Sequence, residues 1–342
     1  MKVIIQTSIG TATGTSPMCK HACDRIRKMS ISIILQQMGV ICILAAIGFY
    51  LYKKNVIDDR GSQKLSTIVV DVCNPALIMA SILSGNITAT RSDLLIAISL
   101  GAAFYCLLII LGFLLPRLLK VEPDKRKFYN LMTVYTNTGF LGLPIARAIL
   151  PANSIIYVIV INVFYSLLFY THGMAILHSG VKKQTGTFKH PILSIFNPGT
   201  VMALLSLVVF WFKITLPPII ANTIEYVGNA TVFLSMTLLG VSIARSSIFK
   251  TFKNTRIWFY IIIRMIIIPF AIVLIMKLSG FDTEIILALC LMAAVPAGSL
   301  PMITAEKMGL ETELLSTSIA MTTFISVFTI TVIMSVVSAL IV

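Results

Sequence analysis

Ten apolar segments, each long enough to cross a lipid bilayer, follow one another along this chain of 342 residues. A spanning helix needs about 20 apolar residues, and these continuous runs lack the alternation of barrel strands. Hydrophobic residues make up 57% of the chain and charged residues only 12%, which is too little polar surface to cover a soluble globule. The sequence therefore predicts an all-α integral membrane protein, with spans 1 to 10 at about residues 30–52, 64–85, 92–116, 127–150, 153–178, 192–213, 217–241, 255–279, 283–305 and 312–340.

Basic residues are concentrated on one side of the predicted membrane. The loops after the odd-numbered spans carry 17 Lys and Arg residues, whereas the other loops between spans carry three, Arg91, Lys213 and Lys277. By the positive-inside rule the first set is cytoplasmic, which predicts a cytoplasmic-membrane protein with both termini extracytoplasmic. The net charge of +14 therefore reflects topology and contact with anionic lipid, and it does not support nucleic-acid binding.

Residues 1–29 do not fit this pattern. They are too polar for a span, lack the apolar core of a signal peptide, and carry five basic residues on the predicted outer side. Either translation begins at Met29 or these residues form a disordered tail. In both cases they do not contribute to the predicted fold.

Signatures of enzymes and metal sites are missing from the sequence. The chain has no HExxH, GxSxG or GxxxxGK[ST] motif, which argues against an intramembrane hydrolase or an ATP-driven pump. Its six cysteines and four histidines show no strong metal-ligand spacing. We therefore expect a protein that is not an enzyme and holds no metal or cofactor, and that acts in or across the bilayer.

Spans 4 and 9 each contain Gly and Pro where a helix tolerates them least. Thr138-Gly-Phe-Leu-Gly-Leu-Pro-Ile145 in span 4 is matched about 156 residues later by Val295-Pro-Ala-Gly-Ser-Leu-Pro-Met302 in span 9. Proline removes a backbone donor and clashes with the preceding turn, and glycine weakens a helix. Both spans are predicted to be broken, and a duplicated pair of broken helices is typical of a carrier with its binding site at the breaks.

A second landmark repeats at nearly the same spacing. Asn74, which precedes Pro75 in span 2, corresponds to Asn229 in span 7. Because each half has five spans, the second half enters the membrane from the opposite side, so the halves are inverted repeats. The predicted fold is ten transmembrane helices in two inverted five-helix repeats, residues 30–178 and 190–342, with the broken spans 4 and 9 crossing.

The predicted binding site lies at the two breaks. The half-helix that starts near Gly142 presents free N–H groups and the positive end of its dipole, which suits a carboxylate. Asn and Thr beside the first break add directional hydrogen bonds, and Ser beside the second adds a hydroxyl. A proline kink held by neighbouring helices, without a site, is the alternative. The predicted substrate-binding residues are Asn137, Thr138, Gly139, Gly142, Pro144, Pro296, Gly298, Ser299 and Pro301.

Charged and amide residues within the spans are further candidates. Asp71 lies near the middle of span 2, where a charge costs about 2.5 kcal/mol on insertion scales. It is interpreted either as a proton-coupling carboxylate or as a side chain that faces a polar bundle interior or pairs with a cation such as Arg264 or Arg147. Both arginines are also candidates for attracting an anion. Coupling or polar support is predicted for Asp71, Asn74, Asn229 and Arg264.

Several short motifs are shared with a known family. They are Ala46-Ile-Gly48 followed by Lys53-Lys54, Asn74-Pro75-Ala-Leu, Asn137-Thr-Gly-Phe-Leu-Gly-Leu-Pro-Ile145, Asn197-Pro198, Leu239-Gly-Val-Ser-Ile-Ala-Arg245, and Val295-Pro-Ala-Gly-Ser-Leu-Pro301 followed by Ala305-Glu-Lys307. On these residues the chain, from 30 to 342, resembles the auxin efflux carrier family, the bacterial relatives of plant PIN-type carriers. The motif from Asn137 to Ile145 is the most specific.

The resemblance implies a carrier in which spans 1, 2, 6 and 7 form a scaffold that also makes a homodimer. Spans 3–5 and 8–10 would form a transport domain that carries the substrate by an elevator-like movement. The family's crossover residues correspond to Asn137, Pro144, Pro296 and Pro301. Asp71 stands where the family's second helix often has an amide, which leaves open whether a proton or a sodium ion is coupled.

The leading hypothesis from the sequence is a secondary active or facilitative transporter of small organic anions. The resemblance implies substrates such as malate, malonate or auxin-like acids. A sodium-coupled symporter of the bile-acid carrier type and a non-transporting anion-binding receptor are the alternatives. The short loops leave no room for an output domain, which favours the carrier. The expected partners are an organic anion, membrane lipid and a second copy of the chain.

Overall fold

The computed structural model describes residue 36 and residues 39–83, 90–179, 198–245, 255–308, 310 and 313–341, so the tail at residues 1–29 lies outside the described part. All regular secondary structure in the described residues is helical, in agreement with the all-α prediction. The helices are α1 (Gly39–Lys53), α2 (Asp59–Leu83), α3 (Arg91–Leu118), α4 (Arg126–Val134), α5 (Thr138–Ile149), α6 (Ala152–His178), α7 (Pro198–Phe212), α8 (Pro218–Arg245), α9 (Thr255–Leu278), α10 (Thr283–Ala294), α11 (Leu300–Lys307) and α12 (Glu313–Ile341).

Six of these helices, α2, α3, α6, α8, α9 and α12, are long and apolar enough to cross a membrane. The shorter helices α1, α5, α7 and α10 are also apolar. Predicted span 4 is divided into α4 and α5, and predicted span 9 into α10 and α11. The chain is therefore a multi-pass membrane protein. In span 9 the helix is interrupted at the Gly/Pro segment itself. In span 4 the interruption lies just before that segment, at residues 135–137, and α5 runs through Gly139, Gly142 and Pro144.

The helices pack in two groups. Helix α2 packs mainly against α7 and α8. Helix α3 packs against α4 and α6, while α10 packs against α9 and α12, and α6 and α10 join these two sets. The larger group, α3 to α6 with α9 to α12, therefore surrounds both interrupted helices.

Three glycines bring α1, α2 and α8 into backbone contact. A Cβ atom on Gly240 of α8 would lie 1.9 Å from the carbonyl oxygen of Ala45, and one on Gly48 of α1 would lie 2.0 Å from that of Thr237. A Cβ atom on Gly228 would lie 2.9 Å from the Cα atom of Leu77 in α2. Small residues permit this close approach between membrane helices, where dispersion contacts replace the hydrophobic effect.

Polar contacts between loops place the connections on two sides of the bundle. On one side Arg245 at the end of α8 pairs with Asp59 at 3.5 Å, and Glu122 pairs with Lys125 and with Arg256 at the start of α9. The hydrogen bond from Lys125 holds the pKa of the exposed Glu122 carboxyl below its usual value. On the other side Arg91 donates to the carbonyl oxygen of Trp211, linking the start of α3 to the end of α7.

In the described part of the chain, four helices contain a π turn, at Val69–Cys73 in α2, Thr138–Gly142 in α5, Phe169–Gly173 in α6 and Ile263–Ile267 in α9. Three of these turns lie just before a proline, namely Pro75, Pro144 and Pro269. Proline cannot donate to the carbonyl four residues earlier and its ring clashes with it, and a widened turn relieves that clash. All four turns lie next to the helix breaks or to the cavity described below.

Candidate functional site

The two breaks lie side by side and run antiparallel. The backbone N–H of Asn137 donates to the carbonyl oxygen of Pro296 at 2.8 Å, and the N–H of Gly298 donates to that of Tyr135 at 2.9 Å. Thr136 and Ala297 face each other between these bonds as an isolated bridge. Backbone groups that the breaks release from their helices are thus satisfied across the contact, which is how irregular backbone is tolerated inside a membrane protein.

Gly298 is required for this close approach. A Cβ atom at position 298 would lie 2.9 Å from the carbonyl oxygen of Tyr135 and 3.1 Å from the carbonyl carbon of Thr136. Those neighbours are backbone atoms, which cannot move without shifting the break itself. The close contact between the two breaks therefore explains why the motif in span 9 has a glycine at position 298.

A cavity of about 90 Å³ opens beside the paired breaks. Its wall includes residues from the first turn of α5 and from the first turn of α11, together with parts of α2, α6 and α7. Five of the residues predicted from the sequence line it: Asn74, Asn137, Gly139, Gly298 and Ser299. The N-terminal ends of α5 and α11 thus meet at the same space.

The cavity is uncharged, and apolar atoms make up most of its wall, with a few amide and hydroxyl groups among them. None of the described residues that line it is Asp, Glu, Lys or Arg. Among the described residues, the Oδ1 atom of Asn74, which is an acceptor, and the Oγ1 hydroxyl of Thr136, which can also donate, are buried without a hydrogen-bond partner. Helix N-termini supply N–H donors and a positive partial charge. An anion entering the cavity would therefore meet donors and dipoles instead of a fixed counter-ion.

Asn162 and three neighbours on α6 form a part of the wall that the sequence analysis did not identify. The Nδ2 atom of Asn162 donates to the carbonyl oxygen of Val158 at 2.9 Å, and its Oδ1 accepts from the Thr138 hydroxyl at 3.0 Å. Tyr165, Ser166 and Tyr170 line the cavity on the same helix. In the sequence, the only indication of this role is that Asn162 is a single amide within the otherwise apolar or aromatic run from Ile155 to Phe164.

Aromatic packing supports this wall from behind. The Tyr135 ring contacts Tyr165 edge-on with centroids 5.7 Å apart, and the Tyr135 hydroxyl donates to the carbonyl oxygen of Leu168 at 2.9 Å. The same hydroxyl lies 2.8 Å from Nδ1 of His172. The first break is therefore anchored to the π turn of α6 through Tyr135.

Other predicted site residues support the breaks without lining the cavity. Thr138 is fully buried and bonded to Asn162. Gly142 faces the methyl group of Met292, 2.9 Å from where its Cβ would lie. The carbonyl of Pro296 accepts the bond from Asn137. Pro144, in the second turn of α5, and Pro301, in the first turn of α11, are both buried.

The predicted polar-support residues occupy separate places. Asp71 is exposed in the π turn of α2, within electrostatic range of the Tyr170 hydroxyl. Asn229 is exposed on α8, with its Oδ1 atom 3.5 Å from Nη1 of Arg147. Within the described part of the chain, Asp71 forms an ion pair with neither Arg147 nor Arg264.

Arg264 is buried on the opposite side of the breaks from the helix N-termini. Only 2% of its surface is exposed. Its Nε donates to the carbonyl oxygen of Thr133 at 3.0 Å, and its Nη1 donates to that of Ala293. These carbonyls belong to the last turns of α4 and α10, so one guanidinium contacts the C-terminal ends of both half-helices.

The fold and the cavity define a class of protein: a multi-pass membrane protein with an uncharged cavity where two interrupted helices meet. Residues 33–334 match the family described as Membrane transport protein, and the chain therefore belongs to this family, that of the auxin efflux carriers. It is a membrane transporter of that family, which is not a family of enzymes.

Two archaeal proteins are similar to it. An uncharacterized transporter of Methanocaldococcus jannaschii is 25% identical over 305 residues, which cover 85% of this chain and 94% of the relative. An uncharacterized transporter of Methanothermobacter thermautotrophicus is 23% identical over 290 residues, which cover 84% of this chain and 92% of the relative. Both similarities extend over nearly the full length of the relatives.

Proposed function

We propose that this transporter is a secondary carrier of small organic anions and that it binds them in the cavity at the paired breaks. The observation that carries the proposal is the meeting of the N-terminal turns of α5 and α11 at one cavity, beside two backbone hydrogen bonds that join the breaks. Two helix N-termini attract an anion, and amides and hydroxyls then orient it.

The lining suits a carboxylate with a small organic body. Asn74, Asn137 and Ser299 offer amide and hydroxyl groups for carboxylate and hydroxyl oxygens. Phe140, Tyr165 and Tyr170 provide apolar or aromatic surface for the remainder of the substrate. Indole-acetate-like auxins combine these two chemistries, whereas malate and malonate would use mainly the amide and hydroxyl groups. These three are the substrates to be tested first.

We also propose ten spans in two inverted repeats and an elevator movement. The group α1, α2, α7 and α8 would be the scaffold and the dimer contact, and the group α3 to α6 with α9 to α12 would be the transport domain. Both groups contribute to the cavity wall, since Asn74 and Ala203 come from the first and Gly139 and Ser299 from the second. Alternating access would move the second group along the first, with both termini extracytoplasmic.

Uptake into proteoliposomes tests the proposed function. Purified protein is reconstituted, and uptake of labelled malate, malonate and indole-acetate is measured with an imposed proton gradient, with a sodium gradient and with neither. We expect saturable uptake of at least one anion. Uptake that requires sodium would favour the symporter alternative. Tight binding of an anion that never crosses the membrane would refute the carrier and support the receptor alternative.

The variant Asn137→Ala tests the position of the binding site. The Asn137 backbone N–H carries the bond to Pro296, so removal of the side chain leaves the paired breaks intact. We expect uptake to be abolished while the amount of folded protein and its melting temperature stay close to those of the wild type. Asn229→Ala, which removes the same group from an exposed position outside the cavity, is the matched control and should transport normally. Unchanged uptake in Asn137→Ala would remove this side chain from the site.

A further inference from the structure

The last turns of α4 and α10 contain carbonyl groups that the breaks deprive of their helical partners. In a continuous helix the carbonyl of Thr133 would accept from the N–H of Asn137, and that of Ala293 from the N–H of Ala297. The N–H of Asn137 donates to Pro296 instead. Thr133 and Ala293 each precede the last residue of their helix by one position, so equivalent carbonyls are released in both halves.

Arg264 satisfies both of these carbonyls at once. Its side chain extends from the π turn Ile263–Ile267 of α9, which precedes Pro269. Tyr105 and Tyr260 are the ionisable side chains near the guanidinium, and within the described residues no carboxylate pairs with it. The negative dipole ends of α4 and α10 therefore serve as its counter-charge.

Half-helix C-termini and unwound carbonyls are the groups that hold coupling sodium ions or protons in carriers with broken helices. In this protein a covalently attached cation contacts the end of each half-helix. We propose that Arg264 is a tethered cation that replaces a coupling ion at the paired breaks. This inference rests on the proposed carrier function, and it makes Arg264 a positioning residue, since it acts through the breaks and not through contact with the substrate.

Two consequences follow for the transport cycle. The negative ends of α4 and α10 are compensated in every conformation, so the positive ends of α5 and α11 can attract an anion without a bound sodium ion. Uptake by the wild type is therefore expected to be equal in sodium and in choline media. Removal of the guanidinium would leave an uncompensated polar space that a small free cation fits.

The test uses Arg264→Ala with added guanidinium. Loss of two charge-assisted hydrogen bonds is expected to lower uptake by about tenfold or more. Millimolar guanidinium chloride, well below denaturing concentrations, or sodium chloride should restore uptake in this variant and not increase it in the wild type. Arg264→Lys, which keeps a cation but loses the planar fork, should retain an intermediate rate. Arg147→Ala is the matched arginine control, and guanidinium should not change its uptake.

A second readout does not depend on transport. The melting temperature of Arg264→Ala in detergent should rise with guanidinium or sodium relative to choline, whereas that of the wild type should not. This shift can be measured even if no tested anion is transported, so failure of the carrier proposal and failure of the tethered-cation proposal are distinguishable. Wild-type uptake that requires sodium, or an Arg264→Ala protein whose uptake and stability respond to neither cation, would overturn the inference.

Discussion

Gly139 and Gly298 both line the cavity, yet they have different neighbours. A Cβ atom on Gly298 would meet the backbone of Tyr135 and Thr136 at 2.9 to 3.1 Å. A Cβ atom on Gly139 would lie 3.4 Å from Oδ1 of Asn162 and 3.5 Å from Nδ2 of Asn74, which are ordinary contact distances. Gly298 therefore preserves the contact between the breaks, whereas Gly139 leaves space between two amides of the proposed site.

Alanine substitutions should separate these two roles. We expect Gly298→Ala to lower the free energy of unfolding by about 1–3 kcal/mol, because overpacking forces the backbone apart, and to lose uptake. Gly139→Ala should keep wild-type stability and raise the KM for the transported anion, because its methyl group enters the cavity. Thermal unfolding in detergent and initial uptake rates measure both effects. A stable and active Gly298→Ala protein would contradict the steric role given to this glycine.

The residues at the breaks could be predicted because their effect on a helix is local. Gly139, Gly142 and Pro144 weaken a helix wherever it packs, although the interruption itself falls just before them, at residues 135–137. The direction in which a polar side chain points depends instead on how the helices pack, and one sequence does not reveal that packing. Asn162 was missed for this reason. Asn229 was predicted from its correspondence with Asn74, but Gly228 packs against Leu77 and the adjacent Asn229 lies exposed.

At the scale of elements, the two halves differ in their π turns. The π turns in α2, α5 and α6 lie in the first half, and that in α9 lies in the second. The helices that would correspond to them in the proposed repeats, α8, α11, α12 and α3, contain none among the described residues. A π turn rotates the helix that follows it and frees a carbonyl group. Similar sequence motifs at the breaks are therefore flanked by unequal helices, and most of the residues that line the cavity come from the first half.

The contact between α1 and α8 gives a prediction about a helix pair. Gly240→Ala would place a methyl group against the backbone of Ala45 and Phe49, so the helices must separate. We expect a loss of about 1–3 kcal/mol of stability from overpacking, seen as a lower melting temperature in detergent. Gly39→Ala, at a position where no atom of the described residues lies within 4 Å of the added Cβ, is the matched control. Equal melting temperatures would show that α1 adapts to the larger residue.

At the scale of the whole molecule, the proposed movement requires α5 to slide along α8. These helices contact each other through Arg147 and Asn229, whose Nη1 and Oδ1 atoms lie 3.5 Å apart. They belong to different groups of the packing described above. A covalent link between these two positions would therefore join the proposed transport domain to the proposed scaffold.

Cross-linking tests this movement. Arg147→Cys and Asn229→Cys are combined in a background without the six natural cysteines and treated with a bifunctional thiosulfonate that spans the two removed side chains. We expect uptake to stop on cross-linking and to return after reduction. Each single-cysteine variant, treated in the same way, should remain active. Full uptake by protein shown on a gel to be completely cross-linked would exclude sliding of α5 along α8.

The two hydrogen bonds that join the breaks also affect how the sequences of such proteins can diverge. These bonds join backbone atoms of Tyr135, Asn137, Pro296 and Gly298, so apart from the steric limit at Gly298 they do not depend on side-chain identity. Substitutions in the cavity wall can then accumulate without loss of the crossing. Relatives that share about a quarter of their residues with this chain can thus inherit the same backbone geometry while acquiring different substrate preferences.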